Sequence, residues 1–401
     1  MLVWIVNPFD NLPMEGFRPQ RYWLMARAFV AAGHKVVYWT SDFSHATKQL
    51  RTSDALVQPR VRGGSGDGAI ALKLVPTPPY SRNVSFARIR SHRRLARNWL
   101  AMAAAEERRP DLVVASLPPI LLPVFAKRFA DSIGAKFVLD VQDDWPGTFY
   151  RLLPRALRFL GPVVFGAARH RVRRLLASAD LVTGCCEHYR RLAESAGAKN
   201  YYRAYLGIEL ASAAPMRPRC ASAAPALVYV GNLGRTYDLA SVIAAIERIP
   251  DATLDIAGAG EGEMLARKAS SPRVRFHGYC SQERLSELLA GADIGVVPMS
   301  PASCVGIPNK MADYSRAGLA IVSSLGGESG RLLARYHAGE EYAPGDIDSL
   351  VAAIGRIAAD LDGYKAGSAR MAQAEFDCAR IYRDYIRRME DVVAVRSPRC
   401  I

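Results

Sequence analysis

The residues best suited to chemistry lie just beyond short apolar runs, where a strand hands over to a turn. In YVGNLGRTYDL (229–239), Gly231 and Gly234 leave backbone amides bare, Asn232 adds a polar side chain and Arg235 a positive charge. A strand, a glycine turn and a helix N-terminus in that order suit an anion such as a phosphate. Glycine also serves such turns through backbone freedom alone, so both uses stay open. A second cluster, DIAGAGEGE (255–263), repeats the glycines after a strand, but its third glycine and any downstream ribose acid are not placed as a dinucleotide fingerprint requires. It reads as a tight turn at the sheet's carboxyl end.

The longest informative stretch is DIGVVPMSPASCVGIPNKMADYSRAGLAIVSS (293–324). It predicts a strand, an irregular loop, a helix opened at Pro308 and Asn309 and closed by Gly318, then another strand. Lys310 and the first amides of that helix could hold an anionic leaving group without a metal, and Asp313, one turn further in, could reach a ribose diol. A surface helix that merely carries a lysine is the plain alternative. In FVLDVQDDWPGTF (137–149), Asp143 follows a buried strand, where ligand-facing residues of open α/β sheets sit. Its carboxylate could orient or deprotonate an acceptor hydroxyl, or simply cap the turn before Pro146. The loop NPFDNLPMEGFRPQR (7–21) offers Gly16 and Arg18, suited to close approach of a substrate or to a solvated loop.

These segments need two sheets to position them. LVWIVNP, a helical pattern from about Arg21 to Ala32, and HKVVYWT form a strand, helix, strand unit that recurs through DLVVAS and AKFVLDVQD. Near-continuous apolar strands imply parallel sheets covered on both faces. Between Ile208 and Ala226 the text turns rich in Ala, Pro and Ser, as a linker does, and the alternation then restarts. The expected division is an N-terminal domain over 1–207, a linker over 208–226, a C-terminal domain over 227–374, and a terminal helix over 375–401 long enough to return to the first domain. Length agrees, since 401 residues exceed one ordinary core.

Half of the residues are apolar and 23% charged, a composition of α/β enzymes and not of disordered or fibrous chains. Seven irregularly spaced cysteines point to a reducing compartment without disulfides or a zinc site. The opening MLVWIVNPFDN has no basic leader and is broken by Pro8, and no run reaches the roughly 18 apolar residues of a spanning helix. A cytoplasmic location is expected. The formal charge of +15 is concentrated in 81–99 and 155–176, which hold no acidic residue. Interleaved with Phe86, Ile89, Phe159 and Val163, that charge suits anionic lipid headgroups on the inner face of the plasma membrane, or an ordinary solvated face. No nucleic-acid reader motif accompanies it.

In order and spacing over nearly the whole chain, these segments resemble bacterial glycosyltransferase family 4. GHKVVYWT (33–40), SADLVTGCCEHYRRLAESAG (178–197), LVYVGNLGRTYDL, VRFHGY and GIPNKMADYSRAGLAIVSS follow in family order, with Cys186 where serine is common. The resemblance implies the GT-B fold, two Rossmann-like domains facing a central cleft, and a retaining transfer from a nucleoside diphosphate sugar without an essential metal or cofactor. Gly231, Asn232, Gly234 and Arg235 would line the diphosphate, Pro308, Asn309 and Lys310 would close over it, and Asp313 would take the ribose. Asp143, with Gly16 and Arg18 in the first loop, would face the sugar and a glycan or lipid-linked acceptor. The chain departs from the family pattern of two glutamates, placing Val305 at the first position and Asp313 at the second, and Tyr237 near the place of a common lysine. The expected function is a glycosyltransferase of bacterial surface polysaccharide synthesis. The alternatives are a nucleotide-sugar 2-epimerase, or a silent partner that binds donor or membrane for another transferase.

Overall fold

The computed structural model describes residues 1–51, 70–152, 159–210, 224–234, 236–269, 271–300 and 306–395. Val305, Arg235 and most of the expected linker, 211–223, lie outside the described residues. The chain divides into two units, Met1–Ala204 joined by the chain from Ala379 onward, and Tyr205–Cys378.

In the first unit the apolar runs form β1 (Leu2–Val6), β2 (Lys35–Ser41), β3 (Ile70–Val75), β4 (Leu112–Leu117), β5 (Lys136–Val141), β6 (Leu181–Gly184) and β7 (Tyr201–Arg203). Their order is β3-β2-β1-β4-β5-β6-β7, and every pairing is parallel. Val3 of β1 faces Val36 on one side and Leu112 on the other. Because β1 lies between β2 and β4, the connections leave it in opposite directions and open a crevice at its carboxyl end. The strands are buried on both faces: Val3, Trp4 and Ile5 are fully covered, and Trp4 stacks on Phe129 with ring centroids 5.4 Å apart.

The second unit repeats the plan with β8 (Ala226–Val230), β9 (Thr253–Ala257), β10 (Val274–Gly278), β11 (Ile294–Val297), β12 (Ala320–Ser323) and β13 (Gly339–Glu341), ordered β10-β9-β8-β11-β12-β13. Its crevice falls between β8 and β11. The helix Leu239–Arg248 is set by Asp238, whose Oδ1 accepts from the Ser241 amide at 3.1 Å, and its apolar face packs on Leu227, Leu254 and Ile294.

Sequence patterning passed over the edge strands β3, β7 and β13, which are short or only half buried. It also started the last helix at 375. The helix runs from Cys378 to Ala394 after a wide turn over Ala372–Phe376, because the Phe376 carbonyl is drawn out to the Ile208 amide at 2.8 Å. That helix belongs to the first unit, where Tyr385 meets Phe29 and Tyr202, and Glu390 pairs with His34 at 2.9 Å.

A buried ion pair locks the first unit. Arg21, at the start of the helix Arg21–Ala31, donates from Nε and Nη2 to the two oxygens of Asp140 in β5, each at 2.8 Å. Tyr22 and Thr183 add hydroxyl donors to Asp140 at 2.6 Å, and Arg21 Nη1 reaches the Ala204 carbonyl at 3.0 Å. Burial alone would raise the Asp140 pKa, but the Arg21 charge and the hydroxyl donors outweigh it and hold the carboxyl below its usual range. Asp140→Asn should therefore lower stability by about 3 kcal/mol, since Arg21 would be left buried without its counter-charge. A depressed carboxylate stabilises above its unfolded pKa and loses that contribution as pH falls. Urea unfolding at neutral pH and in acid should thus show the gap between wild type and variant narrowing in acid.

Candidate functional site

At the carboxyl end of β8 the chain turns at Gly231, whose φ of +135° suits glycine, and runs past Asn232 and Gly234 toward Tyr237. The second glycine cluster stands directly behind. The Gly231 amide donates to the Ala257 carbonyl at 2.9 Å, Leu233 to Ala259 at 3.0 Å, and Gly262 returns to Leu233 at 2.7 Å. A Cβ on Gly258, where φ is +148°, would fall 1.8 Å from the Gly231 carbonyl oxygen. DIAGAGEGE is thus a tight turn with a task, a brace that fixes the first turn.

Across the crevice, Pro308 in extended conformation opens the helix Asn309–Arg316. The ring of Tyr314 seats this helix on the sheet: its hydroxyl accepts from the Val230 amide at 3.0 Å, and a Cβ on Gly295 would come within 2.3 Å of the ring. Lys310, 9% exposed, points its ammonium between two aromatic faces, 4.7 Å from the Tyr229 centroid and 4.4 Å from that of Tyr237. A Cβ on Gly231 would meet Nζ at 2.2 Å, so glycine leaves the room that the ammonium fills. Among the described residues Lys310 makes no hydrogen bond and no ion pair. Burial pulls its pKa down to about 8, with the charge of Asp313 offsetting part of the effect. The Gly231 amide is committed to the Ala257 carbonyl, so what suits an anion here is the desolvated ammonium over the glycine turn, framed by aromatic walls.

The structure thus brings together Gly231, Asn232, Gly234 and Lys310, with Pro308 and Asn309 shaping the backbone that leads to the lysine. Asn232 is exposed, and Asp313 is half-buried on the same helix as Lys310. Tyr229 and Tyr237 are the residues that sequence reasoning missed as walls. Their eight-residue separation across the glycine turn was the available signal.

In the first unit, Asp143 follows β5. Its two oxygens accept from Trp145 Nε1 and Thr148 Oγ1, both at 2.9 Å, so the turn-capping use is realised. The neighbouring Asp144 is buried and lies 3.3 Å from His188 Nε2. Gly16 ends a short helical turn over Pro13–Glu15 with φ at +81°, exposed and with open space above it, and Arg18 is also exposed. The loop is held from beneath by Arg51, which contacts Glu15 at 2.9 Å and the Asp10 carbonyl at 2.8 Å. Asp10, overlooked in the sequence, has its pKa raised to about 7 by burial, against the pull of the Tyr22 amide and of Arg21.

Residues 20–205 match the family described as glycosyl transferase 4-like domain, and residues 224–360 the one described as glycosyl transferases group 1. With both halves present in order, the chain belongs to the group 1, family 4 type of glycosyltransferases. A glycogen synthase of Mycobacterium tuberculosis strain H37Rv is 32% identical over 158 residues, or 37% of this chain and 36% of that protein, so the match spans about a third of the relative's length. Among solved structures, sucrose-phosphate synthase from Thermosynechococcus elongatus superposes with a TM-score of 0.72 at 15% identity, covering 98% of this chain and 99% of that one. Anabaena HepE in complex with UDP and glucose gives 0.66 at 13% identity, covering 98% and 100%. WaaG, a glycosyltransferase involved in lipopolysaccharide biosynthesis, gives 0.60 at 13% identity, covering 99% and 100%. These likenesses define the fold as GT-B.

The brace can be broken alone. Gly258→Ala forces the Gly231 carbonyl aside and adds strain of about 1–3 kcal/mol. Thermal unfolding should show a clear loss, whereas Gly166→Ala, where a Cβ meets nothing within 4 Å, should not destabilise the protein.

Proposed function

We propose that this protein transfers a sugar from a nucleoside diphosphate sugar to a glycan or lipid-linked acceptor, with retention and without an essential metal, in bacterial surface polysaccharide synthesis. The buried ammonium of Lys310 over the Gly231 turn carries this reading. Further support is that HepE, of the same fold, was solved with UDP-glucose. Lys310 and Arg235 offset the negative charge that the departing diphosphate gains as its bond to the anomeric carbon breaks, and the Gly234 amide binds one of its oxygens. Asp313 takes the ribose. On the acceptor side, Asp143, Gly16 and Arg18 orient the incoming hydroxyl. The hydrocarbon side chain of Val305 offers no hydrogen bond to a donor hydroxyl.

The acceptor is expected at a membrane surface. None of the described helices is long and apolar enough to cross a membrane. The helices Phe86–Ala105 and Gly161–Ser178 carry exposed arginines, and Phe86 (91% exposed) and Val163 (83%) stand bare beside them. Basic charge with bare apolar groups suits peripheral binding to anionic lipid on the cytoplasmic face. Flotation with vesicles containing phosphatidylglycerol should retain wild type and release a variant with Arg93, Arg94, Arg173 and Arg174 changed to Glu. Equal retention of wild type on neutral and anionic vesicles would exclude electrostatic docking.

UDP-, GDP- and dTDP-sugars screened with chelator present should include one that raises the melting temperature, because a ligand of the native state must stabilise it. Lys310→Ala should weaken that nucleotide about tenfold or more. Lysine is charged below its pKa, so affinity should fall as pH rises through about 8, and Lys310→Arg should remove that dependence. Unchanged affinity in Lys310→Ala would refute the diphosphate assignment.

A further inference from the structure

The first unit contains a second cationic pocket, built from the loops after β1, β2, β3 and β5 at the carboxyl edge of its sheet. Its floor is a tight turn after β2. Lys48 there adopts a left-handed backbone, φ 60°, unusual for a lysine and secured by hydrogen bonds from Lys48 N to the Ser44 carbonyl and from Ser44 N to the Gln49 carbonyl. The turn brings His45 Nδ1 to 2.6 Å from the Tyr80 hydroxyl and Lys48 Nζ to 3.2 Å from the same imidazole nitrogen. From the helix Phe86–Ala105, the Arg88 guanidinium enters over the ring of Trp145 at 4.8 Å and lies 5.7 Å from that of Tyr80. His92, one turn on, stands 5.5 Å from the Phe9 ring and 6.0 Å from that of Trp145.

Asn83 satisfies part of this pocket, its Oδ1 accepting from Lys48 Nζ and its carbonyl from Arg88 Nη1, both at 2.7 Å. Arg88 Nε and His92 Nε2 are buried without any hydrogen-bond partner. Neither Arg88 nor Lys48 has a carboxylate within ion-pair distance among the described residues. Arg88 feels the charge of Asp143, whose oxygens accept from Trp145 and Thr148 and so steady the pocket's aromatic wall. Burial keeps both imidazoles neutral, His45 at about 4 with the charges of Lys48 and Arg88 adding to the effect, and His92 at about 3 with Arg88 and His45 adding to it. Unpaired buried donors cost stability, and a ligand that supplies acceptors recovers it. An anion of several oxygens satisfies Arg88 Nε and, in the tautomer protonated there, His92 Nε2, and brings a counter-charge to Lys48, while the aromatic rings offer faces for the apolar side of a sugar.

We propose that this pocket holds a phosphoryl group of the acceptor, so that the substrate extended by the enzyme is a phosphate-bearing saccharide. The proposal rests on the glycosyltransferase reading for the word acceptor, but not for the binding itself. Two sources share the chemistry, a soluble sugar phosphate and a lipid-diphosphate-linked sugar. The exposed Phe86 and Ile89 on the helix that carries Arg88 suit the second.

The test uses the full-length protein with histidine imidazoles labelled with nitrogen-15, His45 and His92 assigned by single substitution. Glucose 1-phosphate, glucose, glucuronate and a short-chain polyprenyl diphosphate glucose in detergent are titrated at constant pH, with UDP binding measured in parallel. Phosphate-bearing probes should move both imidazole signals where glucose does not, and tighter binding of the polyprenyl probe would select the lipid-linked source. Arg88→Gln with Lys48→Gln should weaken these probes at least tenfold while UDP affinity stays unchanged, and Arg88→Lys should restore part of the loss. Glucuronate binding as tightly as glucose 1-phosphate would overturn the phosphate assignment in favour of a carboxylate. No movement with any phosphate probe, while UDP still binds, would overturn the proposal and leave the donor site standing. Phosphate probes that bind where UDP does not would uphold this pocket and sink the donor assignment instead.

Discussion

The first unit depends on one buried charge pair. Asp140 has no solvent contact, lies in the middle strand of the β4-β5-β6 group, and receives two guanidinium bonds from Arg21. A fixed bidentate pair has one geometry, so the first turn of the helix after the Gly16 loop has one position relative to β5, β6 and the end of β7. Hydrophobic burial alone would tolerate a sliding helix. The loop from Asn7 to Gln20 is stretched between β1 and this anchored helix, and Arg51 ties it from the other side through Glu15 and the Asp10 carbonyl. Loop residues proposed to meet the acceptor are thereby held by rigid elements that take no part in chemistry.

The second unit solves the same problem with glycine. There the constraint is space: Gly258 leaves room for the Gly231 carbonyl, Gly231 leaves room for the Lys310 ammonium, and Gly295 leaves room for the Tyr314 ring that seats the lysine's helix. Each glycine serves a contact with a partner distant in sequence. The resulting ammonium is oriented before any ligand arrives. Such preorganisation is what makes a fixed charge effective on a developing anion, because little reorganisation remains to be done at reaction.

Much of this was legible in the sequence, and the reason is periodicity. Apolar runs such as LVWIV and IGVV, closed by glycine and proline, announced two parallel sheets, because strands buried on both faces cannot be written otherwise. Gly231 and Lys310 were legible because turn and helix signals place them at strand ends. The aromatic walls were not, since Tyr229 looks like one more strand residue and Tyr237 like a substitution. Nor was the Lys48, Arg88 and His92 pocket, whose members come from separate loops and meet only through the sheet order. Asp140 was invisible for the same reason: a carboxylate in an apolar strand reads as an exception until Arg21, 119 positions away, is beside it.

Both units therefore carry buried or half-buried cations that the protein itself leaves short of acceptors. Keeping them so is costly, and the cost is informative. Arg21 is equally buried and fully paired, which shows that this chain supplies a carboxylate where a cation serves structure. Lys310 and Arg88 are left without one, although replacement by an apolar side chain would remove the penalty. Desolvated positive charge at the carboxyl end of each sheet makes sense when the missing oxygens arrive with substrates, one set on the donor and one on the acceptor. The two sites would then be stabilised by ligand independently, each through its own sheet.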